Sequence, residues 1–312
     1  MDILLAILLF AAGVAIAIWS TERLLEGLVG LAFLVGLSTF VVGALLSGLE
    51  AENIAVGVAA SRADAPAIAL GSVFGGATFL VCVALGLGAI IAPLEVTLPR
   101  PFLLIAALAP VLVGVALVGP MTSRAAAAAL LVAFAAAMVY LVRASRQQRL
   151  LESAEVAEAE GERRGPIMAI SLTVFGLLAV AVGGELVANG AQRLVSHLGI
   201  PAALMGMVIA PAAIELEEVI RQAVPAREGH PEVSAGNLLG TLLYFTLFNL
   251  GVIALIAPVR VLPQTRTLDW PFLVLATWLA VFFLWRGGVG RLEGGILLVA
   301  YATYAVLHVV WR

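Results

Sequence analysis

Lysine is absent from the sequence, cysteine occurs once, and charged residues are scarce. All 17 basic residues are Arg, and charged residues make up only 12% of the 312-residue chain. Because Cys82 has no second cysteine to pair with, an internal disulfide and a cysteine-based metal cage are both excluded. The formal net charge is -3 and no basic patch lies outside the loops, so nucleic acid is not an expected partner.

Common catalytic motifs are also missing. The chain has three histidines, and neither an HExxH nor a GxSxG pattern occurs in it. These patterns supply the metal ligands of many metalloproteases and the nucleophile of many hydrolases. We therefore expect neither an enzyme nor a resident cofactor, and a membrane enzyme is only a remote alternative.

Apolar residues dominate what is present. They form 62% of the chain, and the mean hydropathy is +1.11, which is typical of polytopic membrane proteins. A membrane-crossing helix needs about 20 mostly apolar residues, and polar, Pro or Gly positions divide the chain into ten such segments. The segments are residues 3–34, 38–60, 67–93, 101–119, 124–144, 166–197, 201–225, 233–258, 270–285 and 292–311. The sequence thus predicts an all-α, multi-pass protein of the cell membrane, with ten transmembrane helices in contact with the lipid bilayer.

A single long charged stretch, QQRLLESAEVAEAEGERRG at residues 147–165, separates two five-helix halves, 1–146 and 166–312. With ten spans, nine arginines fall on the side of this linker and five on the other side. The nine are Arg100, Arg143, Arg146, Arg149, Arg163, Arg164, Arg227, Arg286 and Arg291, and the five are Arg62, Arg124, Arg260, Arg266 and Arg312. Because an excess of positive charge marks the cytoplasmic side, we predict a cytoplasmic linker and both termini outside.

The two halves resemble each other in sequence. IALGSVFGGATFLVCVALGLGAIIAPLEV, from Ile68, aligns without a gap with VSAGNLLGTLLYFTLFNLGVIALIAPVRV, from Val233, at an offset of 165. The same offset pairs Glu50 with Glu215, Glu52 with Glu217, and Asn53 with Glu218. Because five is odd, the second copy enters the membrane in the opposite direction. This predicts a transporter with two inverted-topology repeats and a binding site where the copies meet.

Carboxylates concentrate in two otherwise apolar stretches, LEAENI at residues 49–54 and IELEEV at residues 214–219. A charge at mid-membrane costs at least about 2.5 to 3.5 kcal/mol on insertion scales, so these side chains must face protein, water or a cation. Glu215 and Glu218 are three residues apart and are predicted on one face of a helix, and Glu50 and Asn53 repeat that spacing. Hard cations bind several oxygen ligands, and crowded carboxylates can also carry protons. We predict that Glu50, Glu215 and Glu218 bind a metal cation or protons.

Other residues near these motifs are possible contributors. Glu52 and Glu217 are predicted to point away from the shared face. Arg221 follows Glu217 by four residues and Glu218 by three, so it could neutralise either one permanently, and the sequence leaves this open. Gly71 and Gly236 allow either close helix packing or a local break that exposes carbonyl groups to a cation.

Two stretches of the second half carry a family resemblance. They resemble parts of the calcium/cation antiporter superfamily, which includes the sodium/calcium exchangers. The first helix of a repeat in that superfamily resembles GGELVANGAQRLVSHLGIP (183–201), and the loop that leads into its glycine-asparagine motif resembles AREGHPEVSAGNLLG (226–240). The superfamily's GTSLPE signature falls on AIELEE (213–218) and on GLEAEN (48–53). This resemblance implies that Glu218 is the ion-binding Glu, that Asn53 occupies the equivalent position, and that Glu50 and Glu215 replace Ser.

A second motif of the superfamily, GSNIFN, falls on GGATFL (75–80) and GTLLYF (240–245). Thr241 stands at a position where this motif has Ser. Asn237 is the asparagine of the glycine-asparagine pair. The resemblance implies a secondary antiporter that works by alternating access, with the first helix of each half sliding over the core. We favour calcium exchanged for protons or sodium, with Asn53 and Thr241 assisting the carboxylates. The alternative is a transporter of the same fold with a non-calcium or organic substrate, in which Arg221 meets an anion. The sequence does not determine the oligomeric state.

Overall fold

The computed structural model describes residues 2–34, 48–145 and 165–310, which are almost entirely helical. The described elements of the first half are α1 (Asp2–Leu34), α2 (Ala51–Arg62), α3 (Pro66–Phe79), a π-helical turn (Leu80–Ala84), α4 (Leu85–Ile91), β1 (Leu94–Glu95), α5 (Arg100–Leu112), a 3-10 turn (Val113–Leu117) and α6 (Arg124–Ser145). Those of the second half are α7 (Pro166–Leu198), α8 (Ala202–Leu204), a π turn (Met205–Ile209), α9 (Ala210–Ile214), α10 (Leu216–Arg227), α11 (Pro231–Leu243), a π turn (Tyr244–Asn249), α12 (Leu250–Ile256), a π turn (Thr265–Asp269), α13 (Trp270–Trp285), β2 (Gly288–Val289) and α14 (Arg291–Val310).

Eight helices in the described part of the chain are long and apolar enough to cross a membrane. They are Ile3–Ala32, Pro66–Ile91, Arg100–Leu117, Arg124–Leu141, Pro166–Leu198, Pro231–Ile256, Thr265–Trp285 and Arg291–Val310. Each corresponds to one predicted segment, because a run of apolar residues of this length satisfies its backbone polar groups inside lipid only as a helix. The chain is therefore a multi-pass membrane protein.

The other two predicted segments take a different form. In the predicted segment 38–60, residues 38–47 lie outside the described residues, residues 48–50 are not helical, and α2 covers the remainder. The predicted segment 201–225 is interrupted at Glu215, whose backbone angles are φ -88° and ψ 7°. At this point the amide of Glu218 donates to the carbonyl of Glu215, three residues back, at 3.0 Å. The prediction of one helix carrying both side chains is therefore wrong, because a tight turn separates α9 from α10.

The internal repeat extends to the bounds of individual elements. Helices α2 and α10 each have 12 residues and begin 165 positions apart, and so do the seven-residue helices α4 and α12. A π turn directly precedes α4 and α12 in both halves. Each of these two helices ends at an extended alanine, Ala92 or Ala257. Equivalent sequence positions thus adopt equivalent backbone structure.

The first helices of the halves, α1 and α7, run antiparallel along each other. Gly176 lies against Leu24, Gly183 against Ala17, and Gly190 against Phe10. A Cβ atom at Gly183 would lie only 2.7 Å from the backbone nitrogen of Ala17. Small residues at a membrane helix interface permit this backbone-to-backbone approach.

Two of the spans, Pro66–Ile91 and Pro231–Ile256, form a central pair, and the first helices of the halves, α1 and α7, form a peripheral pair. Burial inside the protein covers 78% of the residues in the most apolar window of both Pro66–Ile91 and Pro231–Ile256, but only 22% and 28% in α1 and α7. Large apolar side chains on α1 and α7, such as Leu4 and Ile167, are exposed. The peripheral pair therefore presents apolar surface to lipid, and the central pair forms the core.

A small antiparallel sheet is an element that the all-α prediction did not include. Leu94 pairs with Val289, and Glu95 with Gly288. The sheet joins the loop after α4 to the turn between α13 and α14, and therefore ties the two halves together at one end of the bundle.

Candidate cation site

The two carboxylates that the repeat pairs with each other, Glu50 and Glu215, occupy equivalent places in the fold. Each directly precedes a 12-residue helix, α2 or α10, and each residue is only 1% exposed. Neither residue has helical backbone angles. Irregular backbone at membrane depth is tolerated where it is buried in protein or lines a polar cavity, so both breaks lie in the kind of place where an ion site is built.

Asn53 connects the two halves at this point. Its side-chain nitrogen Nδ2 donates a hydrogen bond of 2.7 Å to Oε1 of Glu215. Asn53 is fully buried in α2, one turn after Glu50. The structure therefore brings together three of the predicted site residues, Glu50, Asn53 and Glu215, from two segments that are far apart in sequence.

Arg221 places a guanidinium group among the acidic side chains. Its Nη1 lies 2.9 Å from Oε1 of Glu218 and 3.8 Å from Oε1 of Glu50, and its Nη2 lies 3.1 Å from Oε1 of Glu217. The sequence left open whether Arg221 pairs with Glu217 or with Glu218, and the structure pairs it with both. The contact of Arg221 with Glu50 in the other half was not predicted, because sequence spacing indicates only contacts within one helix.

Glu52 and Glu217 lie at the edge of this cluster. The hydroxyl group of Thr21 in α1 donates a hydrogen bond of 2.7 Å to Oε2 of Glu52, which is itself buried. The side chain of Glu217 is 30% exposed, whereas that of Glu218 is 1% exposed. Glu52 therefore faces α1, and Glu217 faces the more accessible side of Arg221.

The predicted assisting residues come from α11 and α3. Asn237 Nδ2 donates to Oε2 of Glu218 at 3.4 Å. Thr241 is fully buried, and its backbone nitrogen lies 2.9 Å from where a Cβ at Gly48 would be, so it sits beside the segment that leads to Glu50. Gly71 makes a backbone contact, since an added Cβ would lie 2.0 Å from the carbonyl oxygen of Gly206. Gly236 is buried in α11. A carbonyl contribution of Gly71 or Gly236 to cation binding stays a prediction.

Three buried oxygen atoms of the site make no hydrogen bond within the described part of the chain. They are Oε1 of Glu50, Oδ1 of Asn53 and Oγ1 of Thr241. Among the residues described, Oε1 of Glu50 has only the ion-pair contact with Arg221 at 3.8 Å. A buried polar atom that makes no hydrogen bond costs about 1 to 3 kcal/mol, and carboxylate, amide and hydroxyl oxygens are the donor types that hard cations bind. The donor set therefore fits a cation as a transported substrate.

Glu50, Glu217 and Glu218 contact Arg221, and the carboxylates do not form a compact metal-ligand cluster. Across the described residues, no three His, Cys, Asp or Glu side chains converge as they would around a metal ion. The metal site of Glu50, Glu215 and Glu218 therefore stays a prediction. Five carboxylates (Glu50, Glu52, Glu215, Glu217 and Glu218) lie in the two motifs, and the charges of Glu52, Glu215 and Glu218 all act on Glu50. Even with the charge of Arg221, the cluster keeps an excess of negative charge if the carboxyl groups are ionised.

A second buried polar network was missed by the sequence reasoning. The hydroxyl group of Tyr304 donates to Oδ1 of Asp269 at 2.9 Å, and Nε2 of His308 lies 2.9 Å from the same oxygen. All three residues are almost completely buried. His308 within the predicted segment 292–311 and Asp269 directly before the segment 270–285 were the available signal, because ionisable residues inside a membrane segment usually have a partner.

Comparison with known proteins agrees with this architecture. Residues 5–143 and 168–310 match the family described as sodium/calcium exchanger protein. The chain belongs to that family. It is 25% identical to CaxA of Alkalimonas amylolytica, a proposed antiporter, over 97% of this chain and 98% of that protein. It is 24% identical to the inner membrane protein YrbG of Escherichia coli K12, over 95% of both chains.

A solved structure has the same fold. The sodium-calcium exchanger NCX_Mj, in a crystal soaked with Na⁺ and Sr²⁺, superposes with a TM-score of 0.60 over 96% of this chain and 97% of that chain, at 21% sequence identity. At this identity the likeness concerns the fold.

Proposed function

We propose that this protein is a secondary antiporter that exchanges a cation, with calcium favoured, for protons or sodium. The family membership and the fold support cation antiport. The single observation that carries the proposal is the meeting of Glu50, Asn53 and Glu215 from two repeats, with buried oxygen atoms that make no hydrogen bond among the described residues. Oxygen atoms of this kind can replace the water shell of a cation that enters the site.

The proposed topology has ten membrane crossings as two inverted repeats, a cytoplasmic central linker and both termini outside. Matched bounds of α2 with α10 and of α4 with α12 support a duplicated unit. The antiparallel packing of α1 on α7 supports opposite orientation of the copies. In such transporters, the binding site lies between the repeats near the middle of the bilayer.

Alternating access in this scheme moves the peripheral pair, α1 and α7, relative to the core. The two helices contact each other through glycines, and α1 also contacts the site through the hydrogen bond from Thr21 to Glu52. A movement of α1 would therefore change the surroundings of Glu52, which directly precedes Asn53. Cation and counter-ion compete for the same carboxylates, so that each displaces the other.

The choice of ions follows from the ligands that are present. Carboxylates supply the charge that calcium requires, and their oxygen atoms bind calcium or protons. The second motif offers few neutral oxygen atoms, since GGATFL and GTLLYF contribute mainly Thr78 and Thr241. We therefore place calcium before sodium as the main cargo, with protons or sodium as the counter-ion.

The test is cation flux in proteoliposomes under imposed calcium, sodium and proton gradients. Replacement of either buried carboxylate, Glu215→Gln or Glu218→Gln, should lower calcium uptake at least tenfold, because each change removes a charged ligand. Glu228→Gln is the matched control, since this exposed Glu lies just after α10, and it should transport at the wild-type rate. Normal transport by both site variants would show that the cation binds elsewhere. An absence of flux of all three ions in wild-type vesicles would refute cation antiport.

A further inference from the structure

The side chain of Arg221 is partly exposed although its guanidinium contacts buried carboxylates. Its guanidinium reaches Glu50 and Glu218, whose side chains are 2% and 1% exposed, but its own side chain is 22% exposed. The long aliphatic stem of an Arg lets the charged head move between a buried and a more hydrated position. Arg221 thus connects the buried part of the cluster with its accessible edge.

Glu217 supplies a partner at that edge. It contacts Nη2 of Arg221 at 3.1 Å, while Nη1 contacts Glu218 at 2.9 Å. The guanidinium is therefore shared between an inner pair of carboxylates, Glu50 and Glu218, and an outer one, Glu217. A planar guanidinium with several donors can keep the outer contact while it gives up the inner ones.

A cation that binds Glu50 and Glu218 would meet the positive charge of Arg221 at close range. Two positive charges at this distance in a protein interior repel each other strongly. Conversely, inner carboxylates that lost Arg221 without a replacement would be buried charges without compensation, which is costly. Cargo and guanidinium are therefore alternative partners of the same two carboxylates.

We propose that Arg221 is a tethered competitor of the transported cation: it neutralises Glu50 and Glu218 when no cargo is bound, and withdraws to Glu217 when cargo enters. This inference rests on the proposed function and adds to it. Arg221 sets the cation affinity of the site, and Glu217 is the residue that receives the guanidinium.

The proposal predicts opposite effects for two neighbouring variants. Arg221→Gln removes the competitor and should increase the calcium affinity at least tenfold. Glu217→Gln removes the outer partner, holds Arg221 on the inner carboxylates and should weaken calcium binding at least threefold. In the double variant, Arg221→Gln with Glu217→Gln, the loss of affinity caused by Glu217→Gln should disappear, because no guanidinium remains for Glu217 to bind. Calcium affinity is measured by isothermal titration of the purified full-length protein.

Controls separate competition from a structural role and from general charge effects. Exposed Arg193→Gln and exposed Glu228→Gln change the net charge by the same amounts and should leave the affinity unchanged. Arg221→Lys keeps the charge without the forked donors and should give an intermediate increase, which covers the case in which Arg221→Gln does not fold.

The outcomes distinguish this inference from the proposed function. Weaker or unchanged calcium binding in Arg221→Gln and Arg221→Lys, or a Glu217 effect that persists in the double variant, would overturn the competitor role while antiport remained. Binding that appears only after Arg221 is replaced would support it strongly. Folded proteins that bind no calcium in wild type or in any variant would overturn calcium as the cargo, and the competitor role with it.

Discussion

Asp269, Tyr304 and His308 form a polar network inside the apolar surroundings of α13 and α14. Oδ1 of Asp269 contacts both Tyr304 and His308 at 2.9 Å, and the Tyr304 ring stacks on Phe272 with ring centroids 4.6 Å apart. A buried carboxylate needs such partners, because its charge loses the solvation of water. The network therefore links the π turn before α13 to the end of α14.

Tyr304→Phe should lower the stability of the protein. The change keeps the stacked ring but removes a hydrogen bond to an acidic group, which contributes about 1.5 to 3 kcal/mol when the acceptor is charged. Thermal unfolding of the detergent-solubilised protein should show a lower midpoint. Tyr140→Phe is the control, since Tyr140 is 45% exposed and its midpoint should stay near wild type. Equal midpoints for both variants would mean that the network does not stabilise the fold.

The sequence identified the acidic residues of the candidate site but not their partners. Burial of Glu50, Glu215 and Glu218 was predictable, because charges in apolar segments have to face the protein interior. The pairs Asn53–Glu215 and Arg221–Glu50 join different halves. Such pairs depend on how the halves dock, and no local periodicity encodes the docking.

Among the elements, the long helices α1 and α7 depend on their glycines. Gly183→Ala should destabilise the protein, since the new Cβ would lie 2.7 Å from the backbone of α1. The helices would have to move apart, and overpacking of this kind costs about 1 to 3 kcal/mol. The folded fraction after detergent extraction, measured by size-exclusion chromatography, should fall.

Gly295→Ala provides the matched control for that variant. Gly295 also lies within a helix, α14, but a Cβ there would meet no atom within 4 Å among the described residues. Alanine favours a helix over glycine by about 1 kcal/mol, so this variant should be neutral or slightly stabilising. A loss of folded protein as large as that of Gly183→Ala would show that helix glycines matter for reasons other than the α1–α7 contact.

The positions of the spans were predicted to within a few residues, whereas the interruptions inside them were not. The expected segment 166–197 corresponds to Pro166–Leu198, and 292–311 to Arg291–Val310. Length and apolar composition determine these bounds. The turn at Glu215 and the π turns change only the local hydrogen-bond pattern, which leaves hydropathy unaltered. The break therefore became visible only in the backbone geometry.

The pairing of equivalent elements from the two halves accounts for how one bundle holds its acidic cluster away from lipid. Of the spans in the described residues, each half contributes one that is mostly buried, Pro66–Ile91 or Pro231–Ile256, and its first helix, α1 or α7, is mostly exposed. The carboxylates lie at the starts of α2 and α10, which come from different halves. Neither half alone contains the contacts of Asn53 with Glu215 or of Arg221 with Glu50, so the proposed cation site requires both.

The number of crossings can be tested by the side from which single cysteines react. Cys82 is fully buried, so cysteines introduced elsewhere should be the ones labelled by a membrane-impermeant maleimide in intact cells. With ten crossings, Ser196→Cys at the exposed end of α7 should react from outside. Ser153→Cys in the central linker and Glu228→Cys after α10 should react only after permeabilisation. The reason is that residues 202–227 then cross the membrane despite the turn at Glu215. Reaction of Glu228→Cys from the same side as Ser196→Cys would instead mean that this segment enters and returns, and reversal of all three patterns would mean that the linker lies outside.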